Sequence, residues 1–252
     1  MTQSANDWFA DEAFWQAIEP FVFSESAQTA AVADVAAIKS LVGRPVATVL
    51  DLCCGPGRHS VAFAKEGSRV TGVDRSPFLL GRARQYASAA GVQVRWVQED
   101  MRDFVEAGGF ELAVNLFTSF GYFDDPAENR RVLANVHASL APGGVFVLEL
   151  MGKEIVARIY QPCSSMELPD GALLVQRRKV LDDWARVEND WSVIRDGNVQ
   201  SFRFRNWIYS AVELRDLLTS AGFVKIDVFG NLEGASYGVE ANRLVAQAYK
   251  AG

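Results

Sequence analysis

Between residues 46 and 150 short apolar runs alternate with amphipathic stretches, and this alternation restricts the possible folds more than any other feature. Val46 to Leu50, Arg69 to Val73, Val92 to Val97, Phe110 to Phe117 and Val145 to Leu150 read as strands. Arg58 to Lys65, Ser76 to Ala90 and Pro126 to Leu140 read as the helices between them, with Ser76 as cap and Pro77 in the first turn. The last helix stops at Ala141-Pro-Gly-Gly144. Phe110 to Phe117 is almost continuously apolar, as a strand covered on both faces must be. Repeated strand–helix units imply a parallel sheet with helices on both sides.

Both ends break the pattern. Trp8, Phe9, Phe14, Trp15 and Ile18 lie at helical spacing, and Pro20 is expected to end that helix. Ala27 to Leu41 reads as a second helix. Beyond Met151, Leu173 to Val180, Ala185 to Ile194 and Val199 to Ile208 read as antiparallel strands, the last two joined by an Asp196-Gly197 hairpin signal. Ser210 with Glu213 then forms a capping box for a helix over Ala211 to Ser220, followed by strands at Val224 to Phe229 and Arg243 to Tyr249. The expected organisation is an N-terminal helical segment over 1–45, an α/β domain over 46–154 and 210–252, and an antiparallel β insertion over 155–209. The aromatic helix either closes over the site as a lid or packs on the sheet edge.

The segment Asp51-Leu-Cys-Cys-Gly55-Pro-Gly57-Arg58-His59-Ser60 runs from a strand through two glycines into a helix. Such a turn brings backbone close to a ligand and offers free helical N–H groups. A dinucleotide turn wants a third glycine where Ser60 stands. Asp74 ends the second strand, where a carboxylate accepts both hydroxyls of a ribose; its plainer role is to cap the next helix. Asp100 and Met101 end the third, placing an acceptor for an adenine amine beside an apolar surface, unless Asp100 is merely a turn residue. Asp51 suits an ammonium. The set fits an adenosine with a cationic amino-acid tail and no diphosphate, the shape of S-adenosylmethionine.

On DLCCGPG, VTGVDRS, VQEDMRDF, FELAVNLFTSFGYF, LANVHASLAPGGVFVLEL and ELRDLLTSAGF, the sequence resembles the class I S-adenosylmethionine-dependent methyltransferases over most of its length. The resemblance implies a Rossmann-like, doubly wound, mostly parallel seven-stranded sheet with an antiparallel last strand, plus the antiparallel insertion after strand 5. It matches the family glycine pattern at Asp51, Gly55 and Gly57 and departs at Cys53, where glycine usually stands. It also implies that Asp74 takes the ribose, with Arg75 beside it among the cofactor-binding residues, that Asp100 and Met101 flank the adenine, and that Asn115, Leu116 and Phe117 line the cofactor near its methyl group. Asn115 stands where many relatives carry an acid. The insertion is similar to that of the sugar N-methyltransferases and glycine-type N-methyltransferases, in which it roofs the substrate pocket, and Thr118-Ser-Phe-Gly-Tyr122 and Asp100-Met-Arg-Asp103 are also similar to the former. Candidate pocket residues are Tyr122, Arg205, Tyr209 and Tyr237, with Arg205 able to grip a carboxylate or phosphate. His59 is either a base at the substrate or a packed imidazole. Arg177-Arg178-Lys179 is either an anion site or an exposed strand face.

Charge and composition narrow the acceptor. Lys and Arg number 25 against 31 Asp and Glu, a net charge of -6, which disfavours a nucleic-acid partner. The three cysteines show no zinc-type spacing, so no metal is expected. No basic leader and no long apolar run is present, so a cytoplasmic location and no membrane partner are expected. The tetrads of amino-adenine methyltransferases are absent, since the fourth strand runs into Asn115-Leu-Phe-Thr118. The expected partner is a small-molecule substrate with an amine or hydroxyl acceptor, and a homodimer is possible. The alternatives are a protein or peptide methyltransferase, a dinucleotide enzyme on a similar fold, and a non-catalytic cofactor-binding subunit.

Overall fold

The computed structural model describes residues 7–22 and 24–252; residues 1–6 and 23 of the expected N-terminal segment lie outside the described residues. A 3-10 turn, Trp8–Ala10, leads into α1 (Glu12–Val22) and α2 (Glu25–Val42). The Ser24 hydroxyl accepts from the Ala27 N–H to cap α2, and Gly43 ends it at φ 69°. Pro20 does not end α1: it lies in the last turn, where its missing N–H removes one bond next to an end that would fray anyway.

The alternating region gives β1 (Thr48–Leu52), α3 (Arg58–Lys65), β2 (Arg69–Asp74), α4 (Pro77–Ala89), β3 (Arg95–Gln98), β4 (Phe110–Asn115), α5 (Pro126–Ser139) and β5 (Leu140–Leu150). Then come α6 (Lys153–Ile159), β6 (Cys163–Glu167), β7 (Leu173–Leu181), β8 (Arg186–Arg195) and β9 (Asn198–Trp207). The chain closes with α7 (Ala211–Ser220), β10 (Lys225–Phe229) and β11 (Leu244–Tyr249). The sequence reading has no counterpart of α6 or β6. Cys163-Ser-Ser-Met-Glu167 lacks apolar alternation because β6 is an edge strand with mostly exposed side chains.

Seven strands form one sheet in the order β10-β11-β5-β4-β1-β2-β3, with β11 antiparallel to both neighbours and the remaining pairs parallel. Strand alternation divides its apolar side chains between two faces. Leu50, Leu52, Ala113, Phe146 and Leu148 meet Leu133 of α5 and Leu214 and Leu218 of α7. Val49, Leu112, Val114, Val145 and Val147 meet Val35 and Ile38 of α2 and Phe63 of α3. Each of these Val, Leu, Ile and Phe side chains contributes about 1.5–3 kcal/mol by leaving water. The strand order reverses between β1 and β4, so the loops leaving their carboxyl ends diverge and open a crevice.

The second sheet is fully antiparallel, in the order β6-β7-β8-β9. Phe14, Ala17 and Ile18 of α1 form a third core with Leu174, Val193 and Phe204 of this sheet. The aromatic helix thus packs on the second sheet. Its far side is tied to α4 through Glu19 and Arg82, 2.7 Å apart. No described helix is long and apolar enough to cross a membrane.

Candidate active site

The crevice at the ends of β1, β2 and β4 is a cavity of about 400 Å³, roofed by α1 and the second sheet. Of the residues expected there, Asp51, Cys53, Gly55, His59, Asp74, Arg75, Asp100, Met101, Leu116, Phe117 and Tyr122 line it.

Asp51 is buried at the end of β1, where its Oδ2 accepts from the Ser60 hydroxyl at 2.5 Å. Ser60, the residue that departs from the dinucleotide pattern, therefore orients the first carboxylate. Burial raises the Asp51 pKa, against the fields of His59 and Arg58 and the Ser60 hydrogen bond. Two residues on, Cys53 has φ 59°, which explains why glycine usually stands at this position. Its Sγ lies 3.4 Å from Met101 Sδ.

The two glycines have different work. Gly55 lines the cavity, and its N–H donates to Asp74 Oδ2 at 2.8 Å. Gly57 does not line it. At φ 80°, an added Cβ would come within 2.5 Å of the Trp96 ring, so this glycine serves the turn and the packing of β3. The Ser76 N–H donates to the other Asp74 oxygen at 2.9 Å. Each Asp74 oxygen keeps a lone pair for a ligand. Burial pushes the Asp74 carboxyl up to about 6 despite these two N–H groups.

Asp100 behaves differently from the expectation of an adenine acceptor. Its Oδ1 accepts from the Arg102 backbone N–H at 2.9 Å and Nε at 3.0 Å, and its Oδ2 from Arg102 Nη2 at 2.8 Å and Arg75 Nη1 at 3.2 Å. These four contacts use its four lone-pair sites. Burial raises its pKa, but the Arg102 bonds outweigh that and hold it below the ordinary carboxylate range. Asp100 thus positions Arg75 and Arg102, whose guanidinium carbons lie 5.3 and 5.8 Å from the Phe9 ring centre. Met101 keeps its expected place on the cavity wall.

Past β4 the chain strains. Phe117 and Thr118 have φ of 58° and 60°. The Phe117 N–H donates to Glu149 Oε2 at 3.1 Å, and Glu149 also accepts from Arg243 Nε at 2.8 Å. Asn115 is expected on the cavity wall but is buried behind it, donating to the Leu52 and Ser119 carbonyls. His59 is buried and shares a 3.0 Å hydrogen bond with Asp34 of α2. Tyr122 packs 4.7 Å from Trp8, and burial raises its pKa.

Three expected pocket residues lie outside this first cavity. Arg205 lines no described cavity: its guanidinium is ion-paired with Glu188 at 2.8 Å on the outer face of the second sheet. Tyr237 donates to Glu154 Oε2 at 2.8 Å beside Gly152. Tyr209 lines a second cavity of about 500 Å³, between β7–β9, α6 and the loop after β4. The two cavities share Thr118, Met151, Asn189 and Asn206.

Several lining residues were missed by sequence reasoning. Trp191 and Phe204 had a signal, since they occupy inward positions of alternating strands. Arg58 follows the last glycine, is buried, and lies 4.4 Å from the centre of the Phe117 ring. Arg243 comes from the far end of the chain and carried no local signal.

The fold and this crevice define a doubly wound α/β protein with a cavity at its topological switch point, and the comparisons with known proteins specify it. The methyltransferase-domain family matches residues 49–144. An uncharacterized methyltransferase of Synechocystis sp. is 31% identical over 160 residues, covering 63% of this chain and 69% of that protein. The chain belongs to the methyltransferase family. The dTDP-3-amino-3,4,6-trideoxy-alpha-D-glucopyranose N,N-dimethyltransferase of Streptomyces venezuelae is 35% identical over 102 residues, covering 40% of this chain and 41% of that protein. Among solved structures, the fold is similar to that of SAM-bound CalS10, an amino pentose methyltransferase from Micromonospora echinaspora, with TM-score 0.68, 22% identity, and 99% of each chain covered.

Proposed function

We propose that this protein transfers the methyl group of S-adenosylmethionine to an amine of a small molecule. The observation that carries the reading is Asp74: a carboxylate at the tip of β2, held by the Gly55 and Ser76 N–H groups, with a free lone pair on each oxygen at the cavity wall. That arrangement fits a ribose diol. Asp51 supplies a carboxylate for the donor's ammonium, and Met101 supplies an apolar surface for its adenine.

When bound, the donor supplies a methyl group on a sulfonium, already a strong leaving group. The residues of this chain hold both reactants in line and exclude water, which is worth several kcal/mol. The aromatic roof of Trp8, Phe14, Trp191 and Phe204 provides that dry enclosure. A neutral amine needs no strong base. The imidazole at the cavity, His59, is already committed to Asp34, which favours an amine over a hydroxyl acceptor. The amino-sugar acceptors named for the Streptomyces and Micromonospora proteins support the same choice. An enclosed roof favours a small molecule over a peptide.

Titration calorimetry tests the reading. Asp74→Ala is expected to weaken S-adenosylhomocysteine binding by about 2–3 kcal/mol, the worth of hydrogen bonds to a charged acceptor. Equal affinity of variant and parent would remove the ribose assignment.

A further inference from the structure

The inner face of the second sheet buries Leu174, Val193 and Phe204, yet a polar strip crosses it. Arg178 of β7 pairs with Asn189 of β8, which pairs with Phe204 of β9, so these three side chains share that face. Gln176 and Asn206, two residues along their strands, share it too. Gln176 and Asn189 are only 7% and 8% exposed, and Asn206 Oδ1 is buried without a partner. Polar groups in such a place cost stability unless they are satisfied by a partner.

Arg178 is the charged member of the strip. Its Nη1 donates to Ser164 Oγ at 2.9 Å and its Nη2 to Gln176 Oε1 at 2.6 Å. Among the described residues no carboxylate lies within ion-pair distance of it. Every arginine of β8 and β9 is closed on a carboxylate: Arg186 on Asp182, Arg195 on Asp170, Arg203 on Asp190 and Arg205 on Glu188. Arg178 instead faces the second cavity, with three of its five N–H groups uncommitted. The wall shared with the cofactor-side cavity, including Asn189 and Asn206, stands at the other end of the strip.

We infer that the second cavity is the acceptor chamber and that Arg178 anchors an anionic group, a carboxylate or a phosphate, of the methyl acceptor. The inference rests on the methyl-transfer reading above. A guanidinium with neutral partners in a partly dry cavity keeps its charge for a ligand and matches either anion bidentately. The amine then meets the donor at the shared wall, while Asn189 and Asn206 supply hydrogen bonds along the way.

The test is an NMR titration of the arginine Nε–H signals of ¹⁵N-labelled protein, with and without saturating S-adenosylhomocysteine. Benzoate and inorganic phosphate serve as separate probes at constant ionic strength. Arg178→Met assigns the signal, and Arg178→Lys does so if the Met variant fails to fold. A saturable shift of the Arg178 signal, not shared by exposed Arg177, is the expected result. Saturation by benzoate alone identifies a carboxylate acceptor, and saturation by phosphate alone a phosphorylated one. In Arg178→Met the response of the Asn189 side-chain amide to the same probe should weaken about tenfold, or 1.4 kcal/mol. A linear drift in parallel with Arg177 for both probes overturns the anchor. Loss of S-adenosylhomocysteine binding in the parent protein would instead overturn the methyl-transfer reading, and the titration without it would still decide the anchor.

Discussion

Asp74 makes cofactor binding depend on pH in a stated direction. Burial sets its carboxyl at about 6 in the free protein, and the ionised form is the better acceptor for a ribose diol. Affinity for S-adenosylhomocysteine should therefore be full above that pH and fall as pH drops through it. Calorimetry across the range checks this, and Asp74→Asn should remove the step. Stability runs the other way. The folded-state value lies above the ordinary 3.8, so this group's contribution is most favourable at low pH and is lost as pH rises from there through about 6. Gly57 gives a second test at this scale. Gly57→Ala places a Cβ at φ 80° and 2.5 Å from Trp96, so it should lose about 2 kcal/mol or more in chemical denaturation. Neither residue's full role was visible in the sequence. The motif identified the glycine, but only the approach of Trp96 from β3 shows that Gly57 serves packing. Asp100 likewise was legible as an acid at a strand end, while its saturation by Arg102 and Arg75 depends on side-chain geometry.

At the scale of elements, strand parity decides which cation faces the site. Arg178 and Arg205 lie on strands of the same sheet, yet one faces the cavity and the other the opposite surface. One residue of shift exchanges the faces. The run Arg177-Arg178-Lys179 contains both readings at once: Arg177 and Lys179 are exposed and Arg178 turns inward. The N-terminal segment is held by a similar local detail. Glu12 of α1 accepts from the Ser76 hydroxyl at 3.0 Å and the Phe78 N–H at 3.3 Å, at the positive end of α4. Glu12→Gln should cost about 1 kcal/mol and should speed hydrogen exchange of α1 more than that of α4. Equal exchange in variant and parent would separate α1 from this contact. Opening of α1 as a lid would have to break this contact together with the Glu19–Arg82 pair and the packing of Phe14 and Ile18 on the second sheet.

In the whole molecule, the site exists only where two sheets and α1 converge. A ligand seated there touches all three, so it should stabilise them together. S-adenosylhomocysteine at 100 times its dissociation constant should add about 2.7 kcal/mol, read as a rise in the thermal midpoint. NADH should give none, since Ser60 stands where a dinucleotide turn needs glycine. A midpoint raised by NADH alone would favour the dinucleotide reading. Apart from α6 and β6, the order of elements, the parallel core, the antiparallel insertion and the glycine turn with its carboxylates were determined by the sequence, because each rests on local periodicity or turn chemistry. Tertiary structure decided what depends on partners distant in the chain. It placed α1 under the second sheet, joined Arg243 to Glu149, and opened a second cavity lined by Arg178. Such contacts leave no local pattern, since a side chain's neighbours across a cavity are set by how whole elements pack and not by its own place in a repeat.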